Sequence, residues 1–301
     1  MYSIGMGFGL VQLFEMMNVK GGNNPPFDSK GVPVVSHSAY RHFANTNNEY
    51  QGELFEEVEI KEERLFYFNE SDIAIVAGLH SARGIDFSIL PQNARHLYEL
   101  SINAFSAIVH AWMSELPLAA KIISFGSRIL AAADMVENNT QSASRGGLEL
   151  AQRQAADHVT TDRGNPDVQA VQEAAYKTWH ETHRLMGLLR FSPDEDGVFI
   201  AHCEPDHFIL PALGPHFRDR FCDTPWAIID SQRRHCLRCE SGLFNFFCID
   251  ENPVSLGALQ NGKWENLWRH YHKTINNDSR NNPGLQRQFM PKRYWKYLTE
   301  M

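Results

Sequence analysis

Apolar residues recur at helical spacing through roughly the first two thirds of this chain, then give way to short runs bounded by turns. The helical part includes Leu97, Ser101, Ala104, Ile108 and Trp112 between Pro91 and Pro117, and then Leu118, Ile122, Phe125 and Ile129. Val168, Val171, Ala175, Thr178, Thr182 and Leu185 follow as one face of a helix carrying "WHETHR". Beyond it, "LLRF", the turn "SPDEDG" and "VFIAHCEP" read as a β-hairpin, and "PWAIID", "RHCLRCE" and "LFNFFCID" as further strands. "ILPALGPHFRDRF" interrupts them as a helix with Leu210, Leu213, Phe217 and Phe221 toward the core, and helices around "WENLWRHYHKTI" and "QRQFMPKRYWKYL" end the chain. Helices first and strands later predict an α+β fold, with a helical N-terminal half and a small antiparallel C-terminal sheet packed with helices.

"TTDRGNP" (160–166) is the expected boundary, with Pro166 opening the next helix. It separates a mainly helical region, 1–160, from an α+β domain, 167–301. Residues 1–17 read as a short strand and an amphipathic helix. Residues 20–52 are rich in Gly, Asn, Pro and Ser and read as an irregular insertion, and "ELFEEVEIKEE" (53–63) as a solvated acidic face. At 43% apolar and 21% charged residues the chain can bury a core, and no apolar run reaches the roughly 20 residues of a membrane span. Five cysteines are an odd number at low density, which argues against a disulfide framework. No export signal is read in the apolar start, so a reducing cytoplasm is expected.

Charge is unevenly placed. Eight Lys and Arg against three acids between 261 and 301 give that stretch +5 in a chain of net charge −8, leaving −13 for the rest. Its densest part, "KRYWKY", sets Lys292, Arg293 and Lys296 around Tyr294, Trp295 and Tyr297. Cations that track phosphates beside rings that stack on bases are the means of holding single-stranded nucleic acid. Arg269, His270, His272 and Lys273 add a second basic cluster on a neighbouring helix. The competing structural reading docks Trp295 and Leu298 on the core and leaves the lysines solvated.

Eight of the fourteen histidines lie between 180 and 272. His183, Glu204, His207 and His216 are the candidate catalytic set for hydrolytic or lyase chemistry, with His183, His207 and His216 as candidate ligands of a divalent metal, the one cofactor this set would take. Glu181 and Glu204 are acids suited to general acid–base work. No HExxH, GxSxG, P-loop or GxGxxG occurs. Cys236 and Cys239 in "CLRC" have the spacing of half a zinc site. The other half is missing, and on a strand the two thiols face opposite sides.

"ETHRLMGLLRF", "EPDHFILPALGPHFRDRF", "PWAIID" and "FMPKRYWKYLTE", in this order, resemble a bacterial family described as probable DNA metabolism proteins. The resemblance covers 167–301. Over 1–135 it is confined to the Y-x-x-G at Tyr2 and to "SDIAIVAGL", while 20–52 and "HCLRCESG" depart from it. Its pattern falls on Glu181, His183, Arg184, Gly187, Arg190 and Phe191, then on Glu204, Pro205, His207, Leu210, Pro211, His216, Phe217 and Arg220. It ends on Arg280, Met290, Pro291, Tyr294 and Trp295. The resemblance implies association with a radical-SAM partner, occurrence beside uracil-DNA glycosylase-like domains, and a role in DNA repair or modification.

The leading expectation is an accessory protein that binds single-stranded or damaged DNA for a radical-SAM or glycosylase-like partner. Its expected contacts are Arg190, Arg220, Arg269, Lys273, Arg280, Arg287, Lys292, Arg293, Tyr294, Trp295 and Lys296. One alternative is an enzyme built on the histidine set. Another is an adaptor that binds a protein through its acidic N-terminal half.

Overall fold

The computed structural model describes residues 9–17, 69–139, 144–249, 263–277, 279 and 282–299. The insertion at 20–52, the acidic stretch 53–63 and Arg280 lie outside the described residues. The chain divides into two compact units, 1–75 with 86–176, and 76–85 with 177–301.

The first unit is helical. It contains α1 (Leu10–Met16), the start of α2 (Glu70–Leu79), α3 (Gln92–Leu100), α4 (Ile102–Met113), α5 (Ala119–Asn139), α6 (Arg145–Thr161) and the start of α7 (Pro166–Leu188). The spacing from Leu97 to Trp112 suggests one helix, but the chain bends at Ser101. Its hydroxyl accepts the Ala104 amide and caps α4. Leu13, Phe14, Phe105, Ile108, Trp112 and Phe125 are fully buried, each stabilising by about 1.5–3 kcal/mol. Phe14 stacks on Phe105 at 5.1 Å. Asp72 binds the start of α1, accepting from the amides of Val11 (2.9 Å) and Asn69 (3.0 Å). Asn93 closes the other end of α1, donating to the Met17 carbonyl (2.9 Å). At Gly126 of α5 a Cβ would overlap the Sδ of the buried Met17, so any side chain there requires Met17 to repack.

The second unit is a five-stranded sheet in the order β1 (Ser192–Pro193), β2 (Phe199–Cys203), β3 (Trp226–Asp230), β4 (His235–Glu240) and β5 (Leu243–Cys248). Three pairings are antiparallel. The β2–β3 pair is parallel, in the register Phe199↔Trp226 to Cys203↔Asp230. A helix, α8 (Leu210–Phe221), makes the crossover that parallel strands need. The sheet is therefore mixed where antiparallel pairing throughout is expected, and the α+β class stands. Gly197, at φ +80°, turns the chain between β1 and β2.

One sheet face (Ala201, Cys203, Trp226, Ile228, Leu237, Cys239) packs with Leu210, Leu213 and Phe217 of α8, with Leu185 and Leu189, and with Tyr294. The other face gathers Ile200, Ala227, Ile229 and Cys236. Cys236 and Cys239 thus fall on opposite faces, as their odd separation requires. Among the described residues two helices follow, α9 (Lys263–Ile275) and α10 (Pro283–Phe289), and then a 3₁₀ turn, Lys292–Tyr297.

Candidate functional site

Strands β2 and β3 run in the same direction, so both release their chain at one edge of the sheet. Carboxyl ends of parallel strands are where open sheets usually take ligands. Here the edge is lined with acids: Glu204 and Asp206 after β2, Asp230 at the end of β3, and Glu181 from α7.

Asp230 is buried and accepts the amides of Gln232 (3.0 Å) and Arg233 (3.1 Å), while the Arg233 guanidinium sits 2.9 Å from its other oxygen. The same guanidinium donates to the carbonyls of Pro205 and Asp206, both at 2.9 Å, tying the two loops together. Burial raises the Asp230 pKa and the Arg233 charge opposes it. Burial, then the charge of Asp230, holds the Cys203 thiol far up and therefore protonated.

Glu181 is 3% exposed. Its two oxygens accept the amides of Asp206 and His207, both at 2.9 Å. Its remaining capacity goes to the C-terminal turn: the Tyr294 hydroxyl donates a short hydrogen bond to it, and Arg293 lies 3.2 Å away. Arg293 also reaches Asp206 at 2.6 Å and donates to the Tyr294 oxygen at 2.8 Å. Lys296 pairs with Glu204 at 2.6 Å, and the Tyr297 hydroxyl lies beside Glu204 and Ser231. Burial opposes ionisation of Glu204, but Lys296 and Tyr297 outweigh it and hold its carboxyl below the ordinary value. Burial, followed by the Glu181 charge, raises the Tyr294 pKa.

"KRYWKY" is therefore a clasp across the acidic edge, and this corrects one expectation. Tyr294, expected to offer its ring to a base, is instead 2% exposed and bonded to Glu181. Arg293 and Lys296 face carboxylates of their own chain. Trp295 is half-buried and donates to the Met290 carbonyl at 2.9 Å. Lys292 remains exposed, its ammonium 5.9 Å from the Trp295 ring.

A pair of neighbouring exposed rings lies on α9 instead. Trp268 is 38% and Tyr271 51% exposed, and their centroids are 5.7 Å apart. The Arg190 guanidinium sits 5.5 Å over Trp268 and donates to the carbonyl of Gly187 at the end of α7. Lys273 is exposed one turn further on. Arg269 turns back to the Thr299 carbonyl at 2.9 Å, joining α9 to the clasp segment. Arg287 is exposed on α10 and Arg220 on α8. Neither Trp268 nor Tyr271 was among the expected contacts, although "LWRHYHK" places them three apart on one helical face.

The candidate catalytic residues fall into different settings. His183 is exposed and stacks on Trp179 at 5.6 Å. His216 is exposed on α8. Its pKa is lowered first by burial, then by the charge of Arg220, with a further contribution from His183. Glu204 belongs to the clasp, and His207 gives its backbone amide to Glu181. Among the described residues, no group of three or more His, Cys, Asp or Glu side chains is placed to hold a metal ion. Likewise, among these residues no helix is long and apolar enough to cross a membrane.

Fold and site define an α+β protein whose C-terminal turn closes the acidic edge of a mixed sheet and whose penultimate helices carry exposed rings and cations. A family described as a domain of unknown function, DUF4130, matches residues 147–300, just over half of the chain, and the chain belongs to that family. Searches of curated proteins and of solved structures each returned no match.

Proposed function

We propose that this protein is a nucleic-acid-binding accessory factor of DNA repair or modification, and that α9 carries its binding surface. The observation behind this reading is the group Arg190, Trp268 and Tyr271: two exposed rings next to each other with a guanidinium over one of them. Base–aromatic stacking is worth about 1–3 kcal/mol per base and tolerates any sequence. Lys273 and Lys292 supply exposed cations for phosphates. The resemblance to DNA metabolism proteins points the same way, and in this reading the chain holds an unpaired or damaged segment for a radical-SAM or glycosylase-like protein that does the chemistry.

The test is fluorescence anisotropy with a labelled single-stranded oligonucleotide. Trp268→Ala should weaken binding by about fivefold or more, as loss of one stacked base requires. An unchanged affinity would overturn the assignment. Arg293 and Tyr294 are unsuitable for this test, because their loss would disturb the clasp.

A further inference from the structure

Four residues follow one another along a single face of α7 and its exit: Trp179, His183, Gly187 and Arg190, at steps of four, four and three. The row begins with an indole that is 47% exposed and stacked nearly parallel, at 6°, on the His183 ring. It ends at Arg190, over the Trp268 ring. At about 1.5 Å rise per residue, Trp179 lies about 13 Å along the axis from Leu188, where the helix ends two residues before Arg190.

Between them Gly187 is exposed, and a Cβ built on it would meet nothing within 4 Å. Internal packing therefore does not require glycine here, and the bare backbone leaves the row open between its two aromatic ends. The charge is one-sided. From Lys177 to Arg190 the one acid is Glu181, which is buried in the clasp, whereas Lys177, Arg184 and Arg190 are cationic.

We infer that the α9 surface continues along this face of α7, so that the ligand is an unpaired nucleic-acid strand several nucleotides long and Trp179 is a second base-stacking platform. The inference rests on the nucleic-acid reading of α9. Rings this far apart cannot share one base, and bases inside a duplex do not offer their faces. Arg190, at the end of the row, supplies a cation for a phosphate beside the stacked bases.

The experiment compares the full-length protein with Trp179→Ala, Gly187→Glu and Trp268→Ala. The probes are labelled oligothymidylates of about 4 and about 16 nucleotides, which bracket ordinary single-strand site sizes. All three positions are exposed, and circular dichroism melts check that each variant is folded. Trp179→Ala and Gly187→Glu are each expected to weaken the longer oligonucleotide about tenfold while leaving the shorter one within about twofold, and duplex of the longer length should compete poorly. If these two variants bind the longer strand like the wild type while Trp268→Ala does not, the track along α7 is refuted and the α9 surface stands. If the wild type binds neither oligonucleotide, or Trp268→Ala changes nothing, the α9 reading falls and takes this inference with it.

Discussion

Glu181 holds three parts of the second unit together. It joins α7 to the loop after β2 and to the C-terminal turn through two backbone amides, a phenol and a guanidinium. Removing the carboxylate leaves the buried Tyr294 hydroxyl without its acceptor, while Arg293 keeps Asp206. Glu181→Ala should cost at least about 1–3 kcal/mol in urea unfolding, and Tyr294→Phe, which removes one bond, about 1–3 kcal/mol. The double substitution should cost less than the sum, since both remove the same contact. In the first unit, burial pushes the Asp72 carboxyl up to about 6 despite its backbone hydrogen bonds. A raised acid holds its proton more tightly when folded. The stability it contributes is therefore fully present below the ordinary value of 3.8 and is lost as pH rises through about 6, about 3 kcal/mol in all. Wild type should accordingly gain on Asp72→Asn as pH is lowered from 7 to 4, and parallel unfolding titrations of the two proteins would show it. Sequence could flag Glu181 as an acid worth noticing inside "WHETHR". It could not show that the partner stands 113 residues later, because that pairing depends on where β2 ends and how the last turn lies over it.

At the level of elements, periodicity served well where a segment answers to one neighbour. The buried face of α7, the inward residues of α8 and β2 follow from spacing alone, whereas β1 falls on Ser192–Pro193, inside the stretch read as a turn, and not on "LLRF". It failed where direction or local capping decides. Parallel pairing of β2 with β3 is set by the crossover through α8, and neither strand carries a mark of it beyond the unbroken burial of "WAIID". Ser101 ends one helix and caps the next with a hydroxyl, a choice that apolar spacing does not register. Close approach is equally hidden. Gly126→Ala adds a methyl group that helix propensity favours, yet it should destabilise the protein by about 1–3 kcal/mol because the buried Met17 side chain must repack to admit it. A lowered urea midpoint with an unchanged slope would register this loss, and a raised midpoint would mean that Met17 repacks freely.

Across the whole molecule, the excess of positive charge in the last forty residues is plain from sequence, but its use is not. Some of those cations neutralise acids brought from far up the chain, while Lys273 and Lys292 stay exposed. The candidate surface is thus displaced from the most basic hexapeptide to the helices before it, and the exposed rings there are recognised only once burial is known. With a net charge of −8, binding to a polyanion has to rely on local cations. Affinity for single-stranded DNA should fall steeply with salt, and Lys273→Ala should weaken it while reducing the slope of log affinity against log salt by about 0.7, the single-strand increment for one lost phosphate contact. A slope equal to that of the wild type would place Lys273 away from the strand.

The clasp also bears on the order in which the protein can be made. Glu181 and Glu204 leave the ribosome long before Arg293, Tyr294 and Lys296 exist to meet them. Until those residues emerge, the nascent chain carries an acidic sheet edge with these cationic partners still untranslated, so the clasp closes only after Lys296 has been synthesised.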